Sequence, residues 1–101
     1  MVGADHGGVQ LKDEDLAAIA GLKNLTVLHL DGTPITDAGL THLGALENLK
    51  ALNLFGTAIT DAGLQHLTGL KKLKSVYLAE TKVTAEGVAR LHKELPNARI
   101  D

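Results

Sequence analysis

The sequence predicts an α/β repeat fold, with a parallel β-sheet along one face and short helices along the other. Three observations carry this. The block Thr33-Pro34-Ile35-Thr36-Asp37-Ala38-Gly39-Leu40 returns 24 residues later as Thr57-Ala58-Ile59-Thr60-Asp61-Ala62-Gly63-Leu64, and again as Thr81-Lys82-Val83-Thr84-Ala85-Glu86-Gly87-Val88. Apolar columns keep the same count: Leu25, Leu28 and Leu30; Leu49, Leu52 and Leu54; Leu73, Val76 and Leu78. Within each unit the apolar spacing changes from alternation to steps of three, as at Leu40, Leu43 and Leu46. That is a switch from strand period to helix period.

The strands come first in each unit. Leu25-Thr26-Val27-Leu28-His29-Leu30 ends in alternating apolar and outward positions, so strands are expected near 26–30, 50–54 and 74–78. Helices are expected near 13–20, 37–44, 61–68 and 85–94. Thr36 or Asp37 is the natural N-cap, with Thr60-Asp61, Thr84 and Asp13 at the matching places. Gly21 and Gly69 stand where helices should stop, in the manner of left-handed C-terminal residues. Gly39, Gly63 and Gly87 fall inside the first helical turn, where Gly costs about 1 kcal/mol relative to Ala. A cost met three times points to close approach between neighbouring turns.

A strand and a short helix cannot close a core alone, but stacked copies can, with all strands running in one sense. The pattern Leu-x-x-Leu-x-Leu-x-x-Thr-x-Ile, over about residues 9 to 100, resembles the leucine-rich repeat, in its bacterial 24-residue form. Thr33, Thr57 and Thr81 stand where that family usually has Asn. The resemblance implies a right-handed solenoid of about four turns, with the sheet on the concave face and the helices on the convex face. It also implies a structural role for the three threonines, hydrogen-bonding to the backbone of neighbouring turns. One domain is expected over 1–101: a worn first copy at 1–24, regular copies at 25–48 and 49–72, a third at 73–94, and a closing edge strand at 95–101. If Leu95, Ala98 and Ile100 replace Leu73, Val76 and Leu78, the last turn is two residues short. Pro96 would then open the edge strand, where a missing N–H does least harm.

Composition narrows the function classes. The 101 residues hold ten basic and twelve acidic side chains, no Cys, no Trp, one Phe and one Tyr. There is no room for a second domain. A disulfide scaffold, a thiolate metal site and a cysteine nucleophile are excluded. Balanced charge argues against nucleic acid and anionic membranes as partners. No apolar run approaches the roughly 20 residues of a membrane span. The opening Met1-Val2-Gly3-Ala4-Asp5 lacks a secretory pattern. The glycines of residues 1–8 point to a fragment of a longer chain, and the evenness of the central copies would also fit an engineered consensus repeat.

No catalytic, cofactor or metal site is expected. His42 and His66 share a column, but Arg90 comes next in it, and a cation there argues against a metal ladder. His6 and His29 are expected at equivalent strand positions on adjacent turns, a weak metal possibility. The lone Ser75 has no His in its column, so a nucleophile triad has no candidate. No glycine run forms a phosphate-cradling loop.

What remains is the concave surface. Its expected columns are Val27, Ala51 and Ser75; His29, Asn53 and Tyr77; and Asp31, Phe55 and Ala79. Both aromatics of the chain fall on this face, close enough to touch diagonally, and exposed aromatics on a sheet are typical interface anchors. The alternative is that Phe55 folds over the strand end and covers Leu54 or Leu78. The expected function is a non-catalytic module that binds a protein partner through His29, Asp31, Asn53, Phe55 and Tyr77, with Lys50, Lys74 and Arg99 at the rim. The other reading is a structural scaffold that homo-oligomerises through open ends or the concave face.

Overall fold

The computed structural model describes Asp5–His6 and residues 9–101. Two short strands, β1 (Asp5–His6) and β2 (Val9–Gln10), pair antiparallel with each other. Then follow α1 (Asp13–Ile19), β3 (Val27–His29), α2 (Asp37–Leu40), β4 (Ala51–Asn53), α3 (Asp61–Leu64), β5 (Ser75–Tyr77), α4 (Ala85–Glu94) and β6 (Arg99–Ile100). Strands β3 to β6 form one parallel sheet in chain order. Val27 pairs with Ala51, Ala51 with Ser75 and Ser75 with Arg99. A constant 24-residue register therefore runs across the whole sheet.

Between sheet and helices lies a core built almost wholly of leucine. Leu28, Leu30, Leu49, Leu54, Leu40, Leu43, Leu67 and Leu70 are fully buried, as are Ile35 and Ile59. Each such side chain contributes on the order of 1.5–3 kcal/mol relative to exposure. The isolated unit could not achieve this, because each strand row is covered by the rows on either side. Leu22 precedes the buried Leu46 and Leu70 by one and two repeat lengths, yet it is 49% exposed. It lies in the first turn of the stack, and no earlier leucine row covers it among the described residues.

Helices α2 to α4 begin as expected, but α1 is capped by Lys12, so Asp13 is its first residue and not its N-cap. Thr36, Thr60 and Thr84 are the N-caps: Thr36 and Thr60 accept from Ala38 N and Ala62 N at 3.3 Å, and Thr84 accepts from Gly87 N at 3.2 Å. The N-cap task thus falls to Thr, leaving Asp37 and Asp61 free for another. After α2 and α3 the chain tightens into single 3-10 turns at Leu43–Ala45 and Gln65–Leu67, whereas α4 runs ten residues without a break.

The freed aspartates join the turns. Asp13 accepts from Thr36 N at 2.7 Å and Thr36 Oγ1 at 2.6 Å. Asp37 does the same for Thr60, at 2.8 and 2.5 Å, and Asp61 for Thr84, at 2.8 and 2.5 Å. Here lies the reason for the costly helical glycines. A methyl built on Gly39, Gly63 or Gly87 would collide with the carboxylate of Asp13, Asp37 or Asp61 respectively. Each carboxylate occupies the space that a Cβ would fill. Asn48 adds a second stitch: its Nδ2 donates to Lys23 O at 2.8 Å, and its Oδ1 accepts from Lys72 Nζ at 2.7 Å.

Several expectations need correction. Thr33, Thr57 and Thr81 donate to Leu30 O, Leu54 O and Leu78 O, at 2.7, 2.8 and 2.6 Å. These bonds stay inside the threonine's own turn, because a hydroxyl on so short a side chain reaches back three residues and not across to the next strand. Gly21 and Gly69 are not left-handed. Among the described residues, those at positive φ are Gly32 (69°), Gly56 (70°) and Glu80 (60°), which follow the strands and not the helices. The last turn is not two residues short: Ile100 pairs with Val76, where Leu78 was expected, and Asp101 N donates to Val76 O at 3.0 Å. The stretch from α4 to β6 absorbs the slack. His6 is not placed in a parallel strand beside His29, because β1 spends its pairing on β2. The His6 side chain lies outside the described residues.

Candidate functional site

Strand alternation sorts the sheet residues cleanly. Leu28, Leu52 and Val76 turn into the core, while their neighbours Val27, His29, Ala51, Asn53, Ser75 and Tyr77 turn out onto the open face. With a fixed register, like positions fall side by side: Val27, Ala51, Ser75 and Arg99 in one row, His29, Asn53 and Tyr77 in the next. Asp101 continues that second row beyond β6, and its carbonyl accepts from Leu78 N at 2.6 Å.

Phe55 and Tyr77 meet. Their ring centroids are 6.2 Å apart with planes at 69°, an edge-to-face arrangement. Phe55 is 42% exposed and Tyr77 48% exposed, so Phe55 does not fold over the strand end as a core residue. Such a pair contributes about 0.5–1.5 kcal/mol beyond the area it buries. The backbone fixes Phe55 through Asn53, whose Oδ1 accepts from Phe55 N at 3.0 Å. Asn53 thus serves first as the clamp of the turn that presents the ring. Phe55 O accepts from Gly32 N at 2.8 Å, which brings the exposed Asp31 segment alongside.

The remaining expected residues divide. Half-buried His29 lines a shallow depression of about 150 Å³ together with Asn53, Ser75, Tyr77 and Asp101. Arg99 is held by Asp101 at 2.9 Å (Nε to Oδ2), an exposed pair of the kind that contributes about 0–1 kcal/mol. Lys50 and Lys74 sit at the starts of β4 and β5, linked through backbone from Lys74 N to Lys50 O at 2.7 Å. Both are exposed, and neither ammonium has a partner among the described residues.

The sequence reading missed Asp101, because the two-residue shortfall expected in the last turn would move it out of the Tyr77 row. A count of 24 from Tyr77 would have found it. Also missed is a larger cleft of about 630 Å³ between α3 and α4, lined by Leu64, Gln65, Thr68, Arg90 and Leu91 among others. Asp61 borders it, and the hydroxyl and then the backbone N–H of Thr84 hold its carboxyl below the usual range. Arg90, in the column of His42 and His66, pairs with Glu86 at 2.6 Å. Among the described residues, no three His, Asp or Glu side chains converge as a metal site would require, and no helix is long and apolar enough to cross a membrane.

Comparison with known proteins gives the fold a family. Residues 21–44 and 45–67 match the leucine-rich-repeat family as two consecutive repeats. No curated protein matches the chain. Among solved structures, a leucine-rich-repeat protein of Leptospira interrogans superposes with a TM-score of 0.60 at 23% identity, over 84% of this chain. The chain spans only 27% of that protein's length. The repeat count, the parallel sheet and these matches agree: residues 21–67 carry two leucine-rich repeats, and the chain has the fold of a leucine-rich-repeat solenoid.

Proposed function

We propose that the chain is a non-catalytic interaction module that binds a protein partner on its open sheet face. The observation that carries this reading is the Phe55–Tyr77 pair, two large rings packed on each other and left about half exposed. A chain with only two aromatics has placed both on one face, at the position where burial by a partner would gain most. The rings need no rearrangement to receive it, since Asn53 and the sheet register already fix them, and preorganisation lowers the ordering cost of binding.

The test uses the chain itself and a displayed library of random linear peptides. Peptides selected on the parent chain should lose binding to the Phe55→Ala/Tyr77→Ala variant, while its melting temperature stays nearly unchanged. If the selected peptides bind parent and variant equally, the face is wrong. A large loss of stability in the variant would assign the rings to the core and overturn the reading.

A further inference from the structure

We infer that this face selects an acidic, extended polypeptide segment: its carboxylates held by Lys50 and Lys74, and an apolar side chain two or four residues away seated against Phe55 and Tyr77. The inference rests on the binding reading above and adds the chemistry of the partner.

Cations gather where the strands begin, and most of them are already engaged. Lys23 Nζ donates to Ala45 O at 3.4 Å, Lys71 Nζ to Glu94 O at 3.2 Å and Lys72 Nζ to Asn48 Oδ1 at 2.7 Å. Arg99 is held by Asp101. Lys50 and Lys74 differ. They lie side by side immediately before adjacent strands, with no acceptor for either ammonium among the described residues. Like charges placed side by side on a sheet repel, at a cost that a bound carboxylate would reverse.

The geometry relates this charge to the rings. Tyr77 stands three residues beyond Lys74, which immediately precedes β5, or about 10 Å at strand rise. An extended peptide covers about that distance in two to four residues, and at those even spacings two of its side chains face the same way. Charge along the face is also polarised. Lys50 and Lys74 mark the strand starts, whereas Asp31, Glu80 and Asp101 stand beyond the strand ends, all exposed. A polypeptide with its carboxylates at one end fits this polarity.

A nucleic acid fits it less well. Phosphates recur along a strand, and the acidic end would repel them. The two rings are also crossed at 69°, so they offer no parallel platform for stacked bases.

The experiment is fluorescence anisotropy with four dye-labelled probes on the parent chain. Three are ten-residue peptides with one central Leu, carrying Glu, Gln or Lys at the other side-chain positions. The fourth is a ten-nucleotide oligo-dT. The Glu peptide should bind tightest, by about tenfold over the Gln peptide, and weaken with added salt, the scale expected of one or two charge-assisted contacts. Lys50→Gln/Lys74→Gln should erase that tenfold difference and leave the melting temperature in place.

Equal binding of the Glu and Gln peptides, both lost in Phe55→Ala/Tyr77→Ala, would overturn the charge selection and leave the binding face standing. Glu-peptide binding that survives Lys50→Gln/Lys74→Gln would likewise overturn it, as would tighter binding of the Lys peptide or of oligo-dT. Failure of all the probes to bind the parent chain would overturn the acidic selection, while the library selection decides the face separately.

Discussion

Asp37 accepts both the backbone N–H and the hydroxyl of Thr60, 23 residues later, at 2.8 and 2.5 Å. One carboxylate therefore caps the start of the next helix from outside, while Thr60 caps it from inside through Ala62 N. The same pairing recurs at Asp13–Thr36 and Asp61–Thr84. Removing such a link leaves a part-buried donor without its acceptor. Asp37→Ala should lower the unfolding free energy by about 1–3 kcal/mol, measured by urea titration. A change below about 0.5 kcal/mol would show that water replaces the carboxylate without loss.

The glycine beside each link makes a sharper test. Helix propensity alone says that Gly63→Ala should stabilise by about 1 kcal/mol. The collision with Asp37 Oδ1 says the opposite. Gly63→Ala should therefore destabilise, and the loss should shrink in the Asp37→Ala background, where the space is vacant. Gly69→Ala, with nothing within 4 Å of the added methyl, should be neutral or mildly stabilising. Additive effects of the Gly63 and Asp37 substitutions would mean that the two do not share that space.

Glu80 is the third member of a column whose other members are Gly32 and Gly56, all at positive φ. A left-handed conformation costs a non-glycine residue roughly 1–2 kcal/mol. Glu80→Gly should raise stability by up to about 1 kcal/mol, since added freedom of the unfolded chain offsets part of the gain. Gly56→Ala should lower it by a similar amount. Chemical denaturation of both variants checks the pair.

The carboxyl of Asp61 titrates below its usual range because Thr84 donates to it twice. A group whose folded pKa is depressed adds stability above its unfolded pKa and loses it as pH falls through the folded value. The stability gap between parent and Asp61→Asn should be full at pH 6 and close progressively below about pH 4. A gap that stays constant down to pH 2 would remove the Thr84 bonds as its cause.

How much of this was legible follows from the range over which each signal acts. The leucine columns and the strand-to-helix switch were plain, because burial period is written in every copy: Leu28, Leu52 and Val76 all turn inward. The Phe55–Tyr77 contact also followed, since a 24-residue register fixes diagonal neighbours. Asp37 stands at the start of its helix as expected, but Thr36 takes the N-cap and the hydrogen-bond partners of Asp37 lie a full turn away at Thr60, beyond the reach of a local signal. Glycine at a helix end suggested left-handed Gly21 and Gly69, but the sharp turn occurs after the strand, at Gly32 and Gly56. At the last turn, the apolar spacing of Leu95, Ala98 and Ile100 pointed to a shortened repeat, whereas backbone pairing held the register at Val76–Ile100. Ladder hydrogen bonds outweighed the match of side-chain types.

The carboxylate links all point the same way along the chain. Each central unit offers a threonine and a bare glycine to the turn before it and an aspartate to the turn after it, like a plug and socket moulded on one part. The segment 37–60 begins with the plug and ends with the socket. Splicing in a second copy of that segment would complete every link and lengthen the concave face by one strand. An insert of any other length would leave one aspartate facing the wrong residue, so the molecule can grow only in whole steps.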